Sequence, residues 1–124
     1  MIQTSYFRKP GLPADRAVAI SLGVPRGWKG RRYPALAPMS EMLIAYRMHL
    51  WTWEKYAAEY PALILGRLDP LAVARELDGA IMCCWERSDN PHCHRRLVAE
   101  WLAAATGEEV PEWELTTDEG SAIV

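Results

Sequence analysis

The apolar residues of this chain form a few short runs and several longer helical stripes. Residues 17–22 form a short run bounded by glycine and proline, and residues 80–86 form another, so both predict buried strands. The β-prone residues 1–7 predict an edge strand, and residues 110–115 predict a last strand. Residues 23–38 are rich in Gly, Pro and Arg without a period and predict a long loop.

Helical periodicity accounts for most of the remaining chain. Residues 38–50 and residues 97–105 each place apolar side chains on one stripe. Pro61 predicts a kink or an end in the helix around it, and Gly107 predicts the end of the last helix. Three polar residues are predicted N-caps, two of them followed by proline: Thr52, Asp69 and Asn90.

Strands separated by helices predict a small single α/β domain with a mostly parallel sheet flanked by helices, a Rossmann-like three-layer arrangement. We expect the domain to cover residues 1–116 and residues 117–124 to be a flexible tail. Ligands of such sheets bind beyond the carboxyl ends of the strands. The loops at 23–38 and 87–92 both leave such ends, so we expect them to share one rim.

Composition narrows the class of protein. The chain has 124 residues, 50% of them hydrophobic, and a net charge of −2, which disfavours a protein that coats nucleic acid. It contains no apolar run of the roughly 20 residues that span a bilayer, and its first residues do not resemble a signal peptide. Three cysteines, two of them adjacent, do not suggest a disulfide framework. We therefore expect a cytoplasmic protein without a membrane partner.

The junction from residue 83 to residue 95 contains the residues best suited to chemistry. Alternation along a strand places Cys84 and Glu86 on one face, with Glu86 at the rim, and Cys83 on the opposite face. The stripe of the last helix, traced backwards, turns Cys93 and His94 toward the protein body. Arg95 lies at the edge of that stripe, while Arg96 is expected to lie outside as a solvated partner of Glu100.

With Asn90 as the cap, Cys93 would lie in the first helical turn, where the helix dipole lowers the pKa of a thiol and favours anions. Three roles stay open at this point: Cys93 as nucleophile, Glu86 as acid or base, or a set that only binds. His94 joins the catalytic candidates. The alternative is that Cys93 and His94 are packed core residues, with His94 hydrogen-bonded to a carbonyl.

A metal site is a rival interpretation of the same residues. Cys84, His92 and Cys93 offer soft ligands for zinc. Adjacent helical residues such as Cys93 and His94, however, diverge by about 100° and rarely bind one ion together. The preferred hypothesis therefore contains no metal, and the sequence names no cofactor.

The loop at residues 25–33 interleaves four basic residues with Trp28 and Tyr33, a pattern that clamps phosphates and stacks a base. The same pattern is typical of an exposed turn whose aromatic rings fold back onto the core. The other tryptophans, Trp53 among them, are expected to be core or interface anchors. The candidate ligand-binding residues outside the junction are Ser21, Arg26, Trp28, Lys29, Arg31 and Arg32.

Taken together, these motifs resemble the domain-of-unknown-function 488 family. The resemblance covers residues 17–113, and the Cys-x-Glu and Cys-His-Arg pair is its most specific part. It implies an α/β core in a bacterial, archaeal or phage-borne family and supplies no activity. The residues that carry it are Ala19-Ile-Ser21, Pro25, Trp28, Leu36-Ala-Pro38, Tyr56, Tyr60, Cys84-Trp-Glu86 and Cys93-His-Arg95. Among them, Ser21, Glu86, Cys93, His94 and Arg95 match family motif positions.

The leading hypothesis is a small enzyme that acts on a nucleotide or another phosphate-bearing ligand. In this hypothesis Glu86, Cys93 and His94 are catalytic, while Ser21, Arg95 and the basic loop bind phosphate. One alternative is a non-enzymatic regulatory module that binds nucleic acid or a protein partner through the basic loop. A second alternative is a zinc-binding domain.

Overall fold

A computed structural model describes residues 1–87, 90 and 92–115 of the chain. The strands are β1 (Gln3–Tyr6), β2 (Ala17–Ala19), β3 (Arg31–Arg32) and β4 (Ile81–Cys84). The helices are α1 (Ser40–Arg47), α2 (Trp53–Leu63), α3 (Pro70–Glu76) and α4 (His94–Thr106), with short 3-10 turns at Pro34–Leu36 and Leu65–Arg67. The tail at residues 117–124 lies outside the described residues.

The four strands form one parallel sheet in the order β1-β4-β2-β3, which confirms the predicted α/β class and the edge position of β1. Strand β4 lies inside the sheet, and all four of its residues are buried because both faces of the sheet are covered. The strand predicted at residues 110–115 is reduced to one bridge between Thr4 and Glu112. The predicted loop at 23–38 contains β3, because Arg31 and Arg32 pair with Val18 and Ala19.

The two faces of the sheet are covered differently. Val18 and Met82 point into the larger core cluster, to which all four helices contribute buried side chains. Ala19 and Cys83 point into a smaller cluster closed by Phe7 and Trp113, and no helix of the described residues contributes to it. The three-layer arrangement is therefore not confirmed: helices cover one face, and loop segments cover the other. No described helix is long and apolar enough to cross a membrane.

Three of the predicted helix boundaries are confirmed by local geometry. The side chain of Thr52 accepts a hydrogen bond from the Lys55 amide at 3.1 Å, and Asp69 accepts one from the Leu71 amide at 3.1 Å. Gly107 ends α4 with a φ of 76°, which glycine adopts without strain.

Of the two outcomes predicted at Pro61, a kink or an end, the helix does not end there. Helix α2 contains Pro61 and continues to Leu63. Proline removes a single backbone donor, and the ladder resumes where the Ile64 amide donates to the Tyr60 carbonyl at 2.9 Å.

The predicted start of α4 was wrong. The Asn90 side chain accepts from the His92 amide at 2.9 Å, a local turn that satisfies this side chain before the helix begins. Helix α4 begins at His94, so Cys93 occupies the N-cap position with extended backbone angles. Pro91 lies outside the described residues.

Arg96 was predicted to face solvent beside Glu100, and this too was wrong. Its Nη1 donates to Thr4 Oγ1 at 2.8 Å and to the Val110 carbonyl at 2.9 Å. The long side chain reaches past its own helix to β1, because α4 packs against the sheet.

We expect Thr52→Ala to lower the free energy of unfolding by about 1 kcal/mol, because the Lys55 amide loses its acceptor at the start of α2. Urea denaturation of the two proteins measures the difference. Thr52→Ser keeps a hydroxyl and is the matched control. Equal unfolding midpoints for the alanine and serine variants would contradict a role for this cap.

Candidate functional site

A cavity of about 420 Å³ opens at the carboxyl ends of β2 and β4. Ser21 borders it after β2, Glu86 borders it after β4, and Cys93 and His94 reach it from the start of α4. Its walls also include Gly23 and Pro38, the two ends of the predicted loop, together with His92. The expectation that both loops share one rim is therefore confirmed for these residues.

Aromatic rings from α1 and α2 form one wall of this cavity. The rings of Trp53 and Tyr56 stack with centroids 5.4 Å apart, and the ring of His92 stacks on Trp53 at 4.9 Å. The Tyr46 ring meets Trp53 edge-on at 5.9 Å. Trp53 packs its half-buried ring against the larger core cluster, as expected of a core anchor, and the same ring lines the cavity.

Several cavity residues were not singled out by sequence reasoning: Ser40, Tyr46 and Arg47 from α1, and Tyr56 from α2 as a wall residue. Their common sequence signal is the amphipathic pattern of α1 and α2, which indicates a buried face without indicating a cavity. Tyr56 is in addition one of the residues that carry the family resemblance. Sequence spacing does not reveal that both helices lean over the end of β4.

Two sulfur atoms meet at the floor of the cavity. Cys84, the last residue of β4, and Cys93, at the N-cap of α4, are joined as a disulfide across a Cα–Cα distance of 7.6 Å. The sequence did not predict this pairing, because nothing in the spacing indicates that the end of β4 and the start of α4 come together. Cys83 is confirmed as a buried residue of the opposite face, where burial raises the pKa of its thiol to about 12.

His94 lies behind the two sulfurs. Its Nε2 is 2.7 Å from the Ile20 carbonyl oxygen. Because a carbonyl only accepts, Nε2 carries the proton and Nδ1 keeps a free lone pair. Burial lowers the pKa of His94 to about 4, so the imidazole is neutral at pH 7. The expected alternative of a buried histidine bonded to a carbonyl is thus confirmed, at the edge of the cavity rather than deep in the core.

Arg95 lies beneath the cavity instead of on its wall. Only 1% of the side chain is exposed. Its Nη1 donates to Cys84 Sγ at 2.9 Å and to the Glu86 carbonyl at 2.5 Å, and its Nε donates to Glu112 at 2.7 Å. The predicted phosphate-binding role does not fit this geometry, because the guanidinium is already occupied by protein acceptors.

Glu86 lies at the rim, as strand alternation predicted, and Ser21 lies after the end of β2. Burial raises the pKa of the Tyr56 hydroxyl, and the negative charge of Glu86 raises it further. The Ser21 hydroxyl donates to the Gly23 carbonyl across the turn that follows β2. Both residues border the cavity.

The basic loop lies away from this cavity. Arg26, Trp28 and Lys29 line a separate depression beside Phe7. The Trp28 ring meets Phe7 edge-on at 4.9 Å, and its Nε1 donates to the Arg31 carbonyl at 3.2 Å. Trp28 is therefore folded back onto the protein, as one of the two sequence interpretations expected.

Close packing on Trp28 explains a glycine in this loop. A Cβ at Gly30 would lie 2.5 Å from the indole ring and 2.8 Å from the Ala17 carbonyl. Arg31 and Arg32 are exposed on β3, and Arg32 donates to the Leu22 carbonyl at 3.2 Å. The structure thus does not bring the basic side chains together with Glu86 and Cys93.

The residues that could bind zinc are not the three that the sequence predicted. Among the described residues, Cys84, Cys93 and His94 are buried with ligand atoms within 4.8 Å of one another. His92 was predicted in place of His94, but its ring is stacked on Trp53.

We expect the stability of the reduced protein in chelating buffer to fall as the pH drops from 6.5 toward 4. The unfolded chain protonates His94 near pH 6.5, whereas the folded protein resists until about pH 4. Stability is therefore complete above pH 6.5 and decreases by about 1.4 kcal/mol per pH unit below it, about 3 kcal/mol in all.

Urea unfolding between pH 7 and pH 4 measures this slope, and His94→Gln is the control. Glutamine keeps a donor for the Ile20 carbonyl but does not titrate, so its slope should be shallower. Parallel slopes in the two proteins would show that His94 is not buried in its neutral form.

Comparison with known proteins adds a family to this geometry. No curated protein and no solved structure matches the chain significantly. The family model DUF488-N3a, described as the active DUF488-N3 subclade, matches residues 4–106 and so covers all four helices and the whole sheet except Gln3. The chain therefore belongs to the domain-of-unknown-function 488 family, within this subclade.

Proposed function

We propose that this protein is a small enzyme that acts on a nucleotide or a similar phosphate-bearing ligand. The observation that supports the proposal is the cavity at the ends of β2 and β4. It combines a flat aromatic wall with Glu86, Cys93 and His94 at its inner end. Its volume of about 420 Å³ is within the usual range for small-molecule sites.

The aromatic wall suits a planar heterocycle. The stacked rings of Trp53, Tyr56 and His92 present a broad π-surface beside the opening. Stacking on aromatic side chains is a general means of holding a nucleobase, because every base offers a π-face. The ring of the ligand accordingly lies against Trp53 in this proposal.

Residues of α1 and α4 provide the groups that bind the anionic part of the ligand. Arg47 and Ser40 border the cavity, and Ser40 is the first residue of α1, where backbone amides have no helical partner. The start of α4 adds a second helix N-terminus. Arg47, rather than the occupied Arg95, is the guanidinium that pairs with phosphate here.

Glu86 supplies acid–base chemistry at the inner end. It is the only carboxylate among the described residues that line the cavity. Cys93 and His94 border the same space, where His94 is a neutral imidazole and Cys93 offers a thiol only once its disulfide to Cys84 is reduced. The reacting group of the ligand therefore points toward these residues, and its phosphate toward Arg47.

We expect Arg47→Ala to weaken the binding of nucleotides by about 10- to 100-fold while changing the binding of the matching nucleosides little. A charge-assisted hydrogen bond contributes about 1.5–3 kcal/mol, and only the phosphorylated ligand makes it. Quenching of tryptophan fluorescence across a panel of nucleotides and nucleosides gives the affinities.

Arg67→Ala is the matched control, since Arg67 is exposed in the turn after α2 and does not line the cavity. Failure of every nucleotide to bind the reduced protein would overturn the proposed ligand class. So would an equal loss for nucleotides and nucleosides in Arg47→Ala.

We expect Glu86→Gln to lower kcat by about 100-fold with little change in KM, because the amide fills the same space but does not transfer protons. Mass spectrometry of a nucleotide mixture incubated with the reduced protein identifies the substrate and follows its consumption. Glu100→Gln, on the exposed side of α4, is the control.

The alternative of a non-enzymatic module predicts the reverse pattern. The exposed side chains of Lys29, Arg31 and Arg32 favour it, since they are free of the cavity and near one another in sequence. If charge reversal at Arg31 and Arg32 abolished nucleic-acid binding while Glu86→Gln changed nothing, the enzyme proposal would be wrong.

A further inference from the structure

We infer that Cys84, Cys93 and His94 form a binding site for a zinc-like divalent metal whose fourth coordination position opens into the cavity. The three residues are buried, and their ligand atoms all lie within 4.8 Å of one another. A tetrahedral zinc ion with bonds of about 2.3 Å to sulfur and 2.0–2.1 Å to nitrogen holds these three ligand atoms roughly 3.5–3.8 Å apart. Once the disulfide is reduced, rotation about the side-chain bonds of the two cysteines separates their sulfurs toward those positions.

The backbone explains why two neighbouring residues can serve one ion. Adjacent residues inside a helix point about 100° apart, which disfavours shared coordination. Cys93 lies outside α4, however, at the N-cap with φ −138° and ψ 139°. The extended backbone of Cys93 turns its sulfur toward Cys84. The directions of the Cys93 and His94 side chains are therefore not fixed by one helical geometry.

The span between the two cysteines also suits an intervening ion. Their Cα atoms are 7.6 Å apart, whereas disulfides usually join Cα atoms about 4.4–6.8 Å apart.

The metal-binding form of the protein is the one in which this disulfide is reduced. A thiol reductant gives two electrons and two protons to the disulfide, forming two thiols and its own disulfide, and the metal then displaces the two thiol protons.

Hydrogen bonds from neighbouring groups favour the metal-binding forms of His94 and Cys84. The Ile20 carbonyl holds the proton of His94 on Nε2, at 2.7 Å, which leaves the Nδ1 lone pair for the metal. Arg95 Nη1 donates to Cys84 Sγ at 2.9 Å and so favours the thiolate. Arg95 is itself held by Glu112 at 2.7 Å, so this donor is fixed in direction.

Three protein ligands and one open position are the usual arrangement of a catalytic zinc site rather than a structural one. The open position faces the space that Glu86 borders. A water molecule bound to the metal at this position has a lowered pKa, and Glu86 takes its proton. Only this proton transfer depends on the proposed function. The metal site itself does not depend on the identity of the substrate.

The test uses the full chain, reduced and freed of metal by a chelator, and then titrated with Zn²⁺ or Co²⁺. We expect one metal ion per chain by elemental analysis. Co²⁺ should give the visible bands of a tetrahedral site and the near-ultraviolet thiolate bands of two sulfur ligands. Cys84→Ser and Cys93→Ser should weaken Zn²⁺ binding by more than about 100-fold, and His94→Gln should weaken it measurably.

Cys83→Ser is the matched control, because Cys83 is the neighbour of Cys84 and faces the other cluster. Its affinity for Zn²⁺ should equal that of the unmodified chain. Circular dichroism in chelating buffer identifies variants that fold. The intensity of the near-ultraviolet thiolate absorption of the unmodified protein with Co²⁺ gives the number of sulfur ligands without any variant.

Three results would overturn the site: less than one metal ion per chain, a Co²⁺ spectrum without thiolate bands, or equal losses in Cys83→Ser and Cys84→Ser. Nucleotide binding by the metal-free protein is measured in parallel. A chain that binds nucleotides but no metal refutes this inference alone, and a chain that binds metal but no nucleotide refutes only the proposed function.

Discussion

The buried guanidinium of Arg95 connects the three segments on which the site depends. It joins the end of β4 through Cys84 and the Glu86 carbonyl, the start of α4 through its own backbone, and the C-terminal segment through Glu112. A buried ion pair adds little net stability when intact, because desolvation offsets much of the attraction. Loss of one partner is costly, however, since a charge then stays buried alone. Arg95 therefore helps to hold the end of β4, which carries Cys84, against the start of α4, where Cys93 lies.

The one-sided covering of the sheet decides where the cavity opens. All four helices pack on the face that carries Val18 and Met82, which is also the face of Cys84. Helices α1 and α2 consequently extend over the end of β4 and form the aromatic wall. The opposite face, with Cys83 and Trp113, is closed by loops and the C-terminal segment. Two adjacent cysteines thus have different environments, because neighbouring residues of a strand point to opposite faces.

The difference between the two faces of the sheet also explains why the basic loop lies away from the cavity while Arg47 borders it. The cationic loop follows β2 but turns back over the face without helices, where Trp28 packs on Phe7. Arg47 is a single residue near the end of an amphipathic helix, yet it borders the cavity. A cluster of charges in sequence is thus a poor guide to the charge around a ligand, because a cavity is built from the ends of several elements.

Local chemistry in the sequence determined the class of fold, the caps at Thr52 and Asp69, the end of α4 at Gly107 and the opposite faces of Cys83 and Cys84. Each of these depends on residues within a few positions of one another, so no tertiary contact is needed to predict it. The start of α4 could not be predicted, because Asn90 uses its side chain in a preceding turn. Only the tertiary structure shows that Cys84 lies beside Cys93, that Arg95 lies beneath the cavity and that Trp53 forms part of its wall. These features arise from the packing of α1, α2 and α4 on one face of β4, and side-chain periodicity indicates that a face is buried without indicating what will cover it.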